Sequence, residues 1–195
     1  QDFQRFGKWM LNDPISIVQN FRAEHLIGIG TAGLSIASLS TFDGPTSQNF
    51  QDLYKNSRVL DFANTFGTKK VILPASVALF GSSLLTNNTK FQDAAFTSLQ
   101  SVLMTSLTVG AGKFIFGRER PYKNEGVYDF DFFSDETSFP SGHTARAFSF
   151  VTPWVVYYPS PFTYALLAIP AGTAIARIAE GKHWLSDVSA GAVIG

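Results

Sequence analysis

The chain contains no cysteine, only three histidines, and few charged residues, which make up 15% of its 195 positions. Without cysteine it can form neither disulfides nor thiolate metal sites, although this does not determine its compartment. Its fifteen lysines and arginines balance fifteen aspartates and glutamates, so the net charge is zero and no nucleic-acid partner is expected. Two of the three histidines lie between Lys113 and Asp187 among spaced cations. A functional site is therefore expected in this stretch.

Long uninterrupted apolar runs are also scarce. A membrane span needs roughly 20 predominantly apolar residues, and the four charge-free stretches are short or interrupted by polar residues: 26–42, 71–89, 94–112 and 147–176. In an up-and-down bundle, most lysines and arginines would lie at the end that holds the motifs described below. An integral protein with an outward-facing site is expected to show the opposite bias. We therefore favour a soluble or membrane-peripheral domain over an integral one.

Helical patterning is present almost throughout, and no strand pattern is convincing. We predict an all-α, single-domain helical bundle with the active site at one end, with an N-terminal segment at 1–24 and the helical domain at 25–195. Phe96, Leu99, Leu103 and Leu107 recur at spacings of three and four, which predicts a core-facing stripe. The predicted helices are 3–22 with a break at Asp13-Pro14, 25–42 ended by Asp43-Gly44-Pro45, 47–55, 69–86, 91–118, 141–157, 162–178 and 184–195.

The first motif is a pair of cations around a glycine. Lys113, Gly117 and Arg120 are spaced i, i+4 and i+7, so on a helix they would share one face and leave room for a tetrahedral anion. Pro121 disfavours helix at Arg120 and pushes it toward an extended backbone. Basic residues also collect at helix C-termini simply to complement the dipole, and this motif alone does not distinguish the two interpretations.

The second motif, Pro140-Ser-Gly-His143, is typical of a helix start. Ser141 and Gly142 would let the backbone approach an anion closely, because a helix N-terminus presents free N–H groups. His143 in that first turn could protonate a leaving oxygen. The alternative is a plain N-cap followed by a surface histidine.

The third motif joins Arg177, His183 and Asp187. His183 and Asp187 are four residues apart, so the carboxylate could orient the ring and present its other nitrogen to a substrate. A helix end and a turn would return Arg177 to the side of His183. A surface ion pair is the alternative here. The three motifs together fit one reaction, phosphoryl transfer, better than coincidence does.

Together the motifs match K-x6-R-P, P-S-G-H and R-x5-H-x3-D, and the chain therefore resembles the type 2 phosphatidic acid phosphatase superfamily over about 85–195. The resemblance implies that His183 is the nucleophile, Asp187 orients it and His143 is the general acid. It implies that Lys113, Arg120, Ser141, Gly142 and Arg177 bind the phosphate, that no metal or other cofactor is used, and that vanadate inhibits. Ala176 departs from the serine that many members carry before the arginine, which puts one accessory phosphate hydrogen bond in doubt.

These implications lead to a functional expectation: a phosphatase for a phosphomonoester or pyrophosphate, acting through phosphohistidine on a lipid-linked substrate or a small phosphate ester. The expected location is the bacterial cell envelope, facing the periplasm or the outside, with contact to a membrane surface allowed. A vanadate-dependent haloperoxidase and a non-catalytic envelope domain are the alternatives. The loop 125–139, which alternates carboxylates with aromatic residues, is either a solvated connection or a lid that selects the leaving group.

Overall fold

The computed structural model describes residues 3–54, 57–134 and 137–195, and most of them are helical. In these ranges the only β pairing is an isolated antiparallel bridge between Arg118 and Phe130. The all-α prediction is confirmed. The helices are α1 (Gln4–Gln19), α2 (Ala23–Leu39), α3 (Asp43–Tyr54), α4 (Arg58–Phe66), α5 (Lys69–Ser83), α6 (Thr89–Phe116), α7 (Gly142–Tyr157), α8 (Pro161–Ala165), α9 (Ala168–Ala179) and α10 (Leu185–Ile194), with 3₁₀ turns at Ser40–Phe42 and Pro121–Lys123.

The chain divides into two compact units, one up to Ser35 and one from Ile36 to Gly195. The first unit contains α1 and most of α2, and the second contains every motif singled out above. The boundary falls inside α2, eleven residues beyond the predicted division at 24/25. That division into a segment and a domain stays a prediction.

Local chemistry explains most of the helix boundaries. Asn88 caps α6, with its Oδ1 accepting a hydrogen bond from the Phe91 N–H at 3.0 Å. Ser160 caps α8 through a reciprocal pair with Thr163, and Pro161 occupies the first helical position, where no N–H is needed. These caps agree with the predicted turn at 87–88 and with the predicted split of the 147–176 stretch.

Two predicted helix breaks are wrong. α1 runs through Pro14, because a proline removes one backbone hydrogen bond without forbidding helix on both of its sides. Asp43-Gly44-Pro45 begins a helix instead of ending one, since α3 starts at Asp43. Pro45 then lies in the first turn, where its missing N–H costs nothing.

The second unit is arranged around α7, which packs against α5, α6, α9 and α10. Its interior is unusually polar, because α6 buries Gln92, Ser98 and Thr105 alongside Phe96 and Val102. The predicted stripe on α6 is wrong at its end, since Leu107 is 68% exposed. On α6, small and polar residues take many of the buried positions while Leu107 faces outward, a distribution also found in helices packed in a bilayer.

Three helices are long and apolar enough to cross a membrane: 23–52 with its 3₁₀ turn included, α6 with 28 residues, and 161–179. This contradicts the expectation that the apolar stretches are too short. The error arose because the charge-free run in α6 ends at residue 112, whereas the helix continues to Phe116 and includes Lys113 at its end. A lysine at a helix end can extend its amine toward the polar interface and does not shorten the span.

Candidate active site

Gly117 separates the two cations of the first motif. It adopts the left-handed conformation with φ of 48° and ends α6 at Phe116. A Cβ at this position would collide with the Asp131 carbonyl, so only glycine allows the loop to approach this closely. The predicted continuous helical face from Lys113 to Arg120 is therefore wrong.

The structure nevertheless brings Lys113 and Arg120 together by another route. Arg120 has the extended backbone predicted before proline, with φ of −91° and ψ of 151°. The Lys113 amine donates to the Thr137 carbonyl, and Arg120 Nη2 donates to Thr137 Oγ1 at 2.8 Å. Thr137 thus holds both cations, a role that the sequence patterns did not indicate.

The second motif forms the start of α7 as predicted. Ser141 precedes the helix and Gly142 is its first residue. The Ser141 side chain does not cap the helix but lies 3.1 Å from Thr144 Oγ1. The Ser141 N–H donates to the Asp187 carbonyl at 3.0 Å, so the second motif is joined directly to the third.

Arg177 returns to the side of His183 through the turn after α9. Its carbonyl accepts hydrogen bonds from the N–H groups of Lys182 at 3.1 Å and His183 at 3.2 Å. Its Nη1 donates to Asn64 Oδ1 and to Glu180 Oε2, both at 2.9 Å. Asn64 on α4 thus helps to orient Arg177, and no motif pointed to it.

His183 is 1% exposed, and its Nδ1 lies 3.5 Å from Asp187 Oδ2. At this separation the ring faces the carboxylate without forming a hydrogen bond to it. Asp187 itself is firmly held: its Oδ2 accepts from Ser138 Oγ at 2.5 Å and from the Trp184 N–H at 2.9 Å. The predicted pair is therefore present, with its carboxylate fixed by further donors.

Arg118 is the main support of that carboxylate. Its guanidinium, 1% exposed, donates through Nη1 to Asp187 Oδ1 at 2.7 Å and through Nη2 to Asp43 Oδ2 at 2.8 Å. Asp43 also accepts from the N–H and Oγ of Ser186, at 2.8 and 2.6 Å. The sequence motifs indicated neither Arg118 nor Asp43 as part of the site. The only available signal was that Arg118 stands between two motif positions.

Burial and nearby charges favour neutral histidines. Burial first, and then the positive charges of Arg177 and Arg146, lower the pKa of His143 to about 3. Burial also lowers the pKa of His183 to about 4, although Asp187 acts in the opposite direction. For Asp187, burial alone would raise the pKa, but its contacts with His183 and Arg118 outweigh this and lower it. The unliganded site thus holds two neutral imidazoles beside a carboxylate.

The loop between the first two motifs is attached to the end of α6. The Glu119 N–H donates to the Asp129 carbonyl at 3.1 Å, and the Asp131 N–H donates to the Gly117 carbonyl at 2.9 Å. Phe130 lies beneath the Arg118 guanidinium, 5.1 Å from its centre. Phe132 and Phe133 are exposed. Asp135 and Glu136, which belong to the acidic pattern, lie outside the described residues.

Comparison with known proteins agrees with this geometry. The sequence profile of the PAP2 superfamily matches residues 94–195. The chain is 39% identical to the lipid A 1-phosphatase of Porphyromonas gingivalis over 90 residues, which are 45% of this chain and 18% of that protein. It is 27% identical to the lipid A 1-phosphatase of Rhizobium etli over 146 residues, 67% of this chain and 62% of that one.

The fold is also similar to a solved structure. The crystal structure of Aquifex aeolicus LpxE superposes with a TM-score of 0.60 at 19% identity, covering 78% of this chain and 89% of that one. The chain spans less than two thirds of the length of the curated relatives it matches. Since the matched profile covers more than half of the chain and includes all three motifs, this protein belongs to the PAP2 superfamily.

Proposed function

We propose that this protein is a membrane-bound lipid phosphatase that needs no metal ion and acts through a phosphohistidine on His183. One observation carries the proposal: a buried histidine, with its carboxylate partner locked by Arg118 and Ser138, lies beside a group of cations. That arrangement combines a neutral nucleophile with fixed positive charge for an anion.

In the first half of the reaction, His183 Nε2 attacks the phosphorus and the bond to the leaving oxygen breaks. Asp187 faces Nδ1 and stabilises the positive charge that develops on the ring. Lys113, Arg120 and Arg177, with Ser141 and the Gly142 N–H, bind the equatorial oxygens, over which the charge of phosphoryl transfer is spread. Charge-assisted hydrogen bonds of this kind contribute roughly 1.5–3 kcal/mol each.

His143 supplies the proton that the leaving alkoxide needs. Burial, and then the positive charges of Arg177 and Arg146, lower its pKa to about 3. A bound phosphate dianion offsets those charges and favours the imidazolium, so substrate binding itself loads the acid. In the second half, neutral His143 takes a proton from water, the water attacks the phosphohistidine, and inorganic phosphate leaves with His183 restored.

A lipid substrate follows from the apolar exterior and from the relatives. Large exposed apolar residues lie on the candidate spans, among them Ile27, Leu34, Leu107 and Phe162. Polar side chains, among them Gln92, Ser98 and Thr105, are buried beside apolar ones, as expected where helices pack through small and polar residues. Relatives that are 39% and 30% identical to parts of this chain are named lipid A 1-phosphatase and probable lipid phosphate phosphatase beta. We therefore propose a bacterial envelope membrane as its location, with the site facing the periplasm, although the lysines and arginines collected at the motif end run against the usual positive-inside bias.

The test is phosphate release by detergent-purified protein from lipid A, phosphatidic acid, phosphatidylglycerol phosphate, isoprenyl pyrophosphate and a soluble aryl phosphate. Turnover of at least one lipid is expected to continue in excess EDTA and to stop with vanadate. Activity that vanishes with EDTA and returns with a divalent ion would reject the mechanism. Halide oxidation with vanadate and peroxide would identify a haloperoxidase, and inactivity in every assay would indicate a non-catalytic domain.

A further inference from the structure

A fourth cation, Arg146, lies at the site although none of the three motifs includes it. It is three residues after His143 and therefore on the same face of α7. Side chains on a helix lean toward its N-terminus, and the Arg146 guanidinium accordingly returns to the first turn. Its Nη1 is 3.0 Å from the point that a Cβ on Gly142 would occupy.

The Arg146 guanidinium lacks the contacts that a structural arginine normally makes. Its Nε is buried with no hydrogen-bond partner among the described residues. Arg118 differs in every respect, because its guanidinium donates to two carboxylates, a hydroxyl and a carbonyl. Buried polar groups are normally hydrogen-bonded, so an unsatisfied guanidinium nitrogen indicates a partner that the protein itself does not supply.

The electrostatic setting identifies the charge of that partner. The N-terminal end of a helix carries partial positive charge, so a cation there is unfavourable unless an anion accompanies it. The positive charge of Arg146 also acts on Lys113, His143 and Arg177. Close cations repel one another, and an anion bound among them removes that repulsion.

We propose that Arg146 is a phosphate-binding residue that donates to a non-bridging oxygen of the reacting phosphoryl group. The proposal rests on the function proposed above and adds a fourth cation to the site that the three motifs define. The Arg146 guanidinium lies beside Gly142, at the start of α7, where the backbone N–H groups have no acceptor within the helix. Because its target is the phosphoryl group, its contribution does not depend on which alcohol leaves.

The experiment compares Arg146→Gln and Arg146→Lys with wild type and with a matched control, Arg58→Gln. Arg58 is an exposed arginine at the start of α4, so the control loses the same charge away from the site. Three quantities are measured in detergent. They are the dissociation constant for orthovanadate, the thermal midpoint of unfolding with and without vanadate, and kcat/KM for one lipid phosphate and one aryl phosphate.

We expect Arg146→Gln to weaken vanadate binding by about ten- to a hundredfold, the effect of losing one charge-assisted hydrogen bond. kcat/KM should fall by a similar factor for both substrates. Arg146→Lys should recover part of the loss, and Arg58→Gln should change neither quantity by more than about threefold. Without vanadate, the midpoint of Arg146→Gln should equal or exceed that of wild type, because an unpaired charge has been removed.

Unchanged vanadate affinity in Arg146→Gln would overturn the proposal. So would a lower midpoint without vanadate combined with the wild-type vanadate response, since that pattern describes a packing residue. Failure of the proposed function would look different: wild type would release phosphate from no substrate, yet vanadate binding would still depend on Arg146.

Discussion

The two sides of His183 differ in how completely their polar atoms are paired. On the carboxylate side, both oxygens of Asp187 accept strong hydrogen bonds, and Arg118 connects that residue to Asp43. On the phosphate side, the Nε atoms of Arg146 and Arg177 are buried without a partner among the described residues. The protein therefore fixes the Asp187 carboxylate with its own donors, although His183 Nδ1 has no hydrogen-bond partner among the described residues, and it leaves two arginine nitrogens on the other side unpaired.

This difference has an energetic consequence. A buried ion pair is strongly destabilised when one partner is removed, because the remaining charge has no solvent. Arg146 has no carboxylate partner among the described residues, so its substitution should not carry this cost, whereas Arg177 pairs with Glu180. Substitutions on the carboxylate side should consequently lower stability, whereas substitutions on the phosphate side should lower anion affinity.

The largest effect should come from the histidines, which stand where the two sides meet. His183→Ala should abolish both phosphoenzyme formation and turnover, because it removes the imidazole that Asp187 faces. His143→Ala should lower turnover of alkyl phosphates by about 10²–10⁴, and it should spare phosphorylation by aryl phosphates, whose leaving group needs little protonation. Trapping labelled phosphate by an alkaline quench, in which the phosphorus–nitrogen bond of phosphohistidine survives, measures phosphorylation, and release of inorganic phosphate measures turnover.

A labelled phosphate found on His143, with His183→Ala still phosphorylated, would reverse the two roles. The matched control is His25→Ala, which removes the third histidine outside the motifs. Its effect on turnover should be small.

The substitution Asp43→Asn removes the charge of the carboxylate that pairs with Arg118, at the position of the network most distant from the reacting atoms. Arg118 would keep Asp187 but lose its second carboxylate. We expect about 3 kcal/mol of destabilisation, a lower kcat, and vanadate affinity within a few-fold of wild type. Chemical unfolding and inhibition assays measure these quantities.

The control for this prediction is Asp61→Asn on exposed α4. Stability equal to wild type in Asp43→Asn would show that the buried network does not support the site. A large loss of vanadate affinity would show that the two sides are not separable.

Acid should act through the two neutral histidines. The pKa values of about 3 for His143 and about 4 for His183 lie below the ordinary 6.5, so the unfolded chain binds protons that the folded protein does not. Their contribution to stability is complete above pH 6.5 and is lost as the pH falls toward 4. The thermal midpoint should decline over this range, less steeply in His183→Ala. A midpoint independent of pH in wild type would contradict the neutral-histidine assignment.

The smallest effect concerns the acidic loop. The carboxylates of Asp131, Asp135 and Glu136 should repel an anionic substrate, an effect that salt screens over about 8–10 Å. Changing them to Asn or Gln should therefore alter substrate preference more than it alters turnover of an aryl phosphate. Specificity constants for one lipid and one aryl phosphate, wild type against the triple variant, test this. Equal proportional changes would identify a solvated connection.

The accuracy of the sequence-based predictions varied with the range of the interactions. The start of α7 at Gly142 and the extended backbone at Arg120 were predicted correctly, because each depends on a proline or a cap within a few residues. The break at Asp43 was wrong, because a proline in a first turn and a proline after a helix look alike in sequence. The exposure of Leu107 was missed because the spacing of apolar residues shows that they share one face of a helix, not how far along the helix that face is covered.

By itself, the sequence determined the superfamily and the helical class and predicted the reacting residues, since these depend on residue type and on spacing along the chain. Only the tertiary structure decided what holds them. Thr137 joins Lys113 to Arg120, and Asp43 supports Asp187 through Arg118 across 144 positions of chain. Such contacts form because a buried charge must find a partner wherever the fold brings one close, and spacing along the chain carries no record of that requirement.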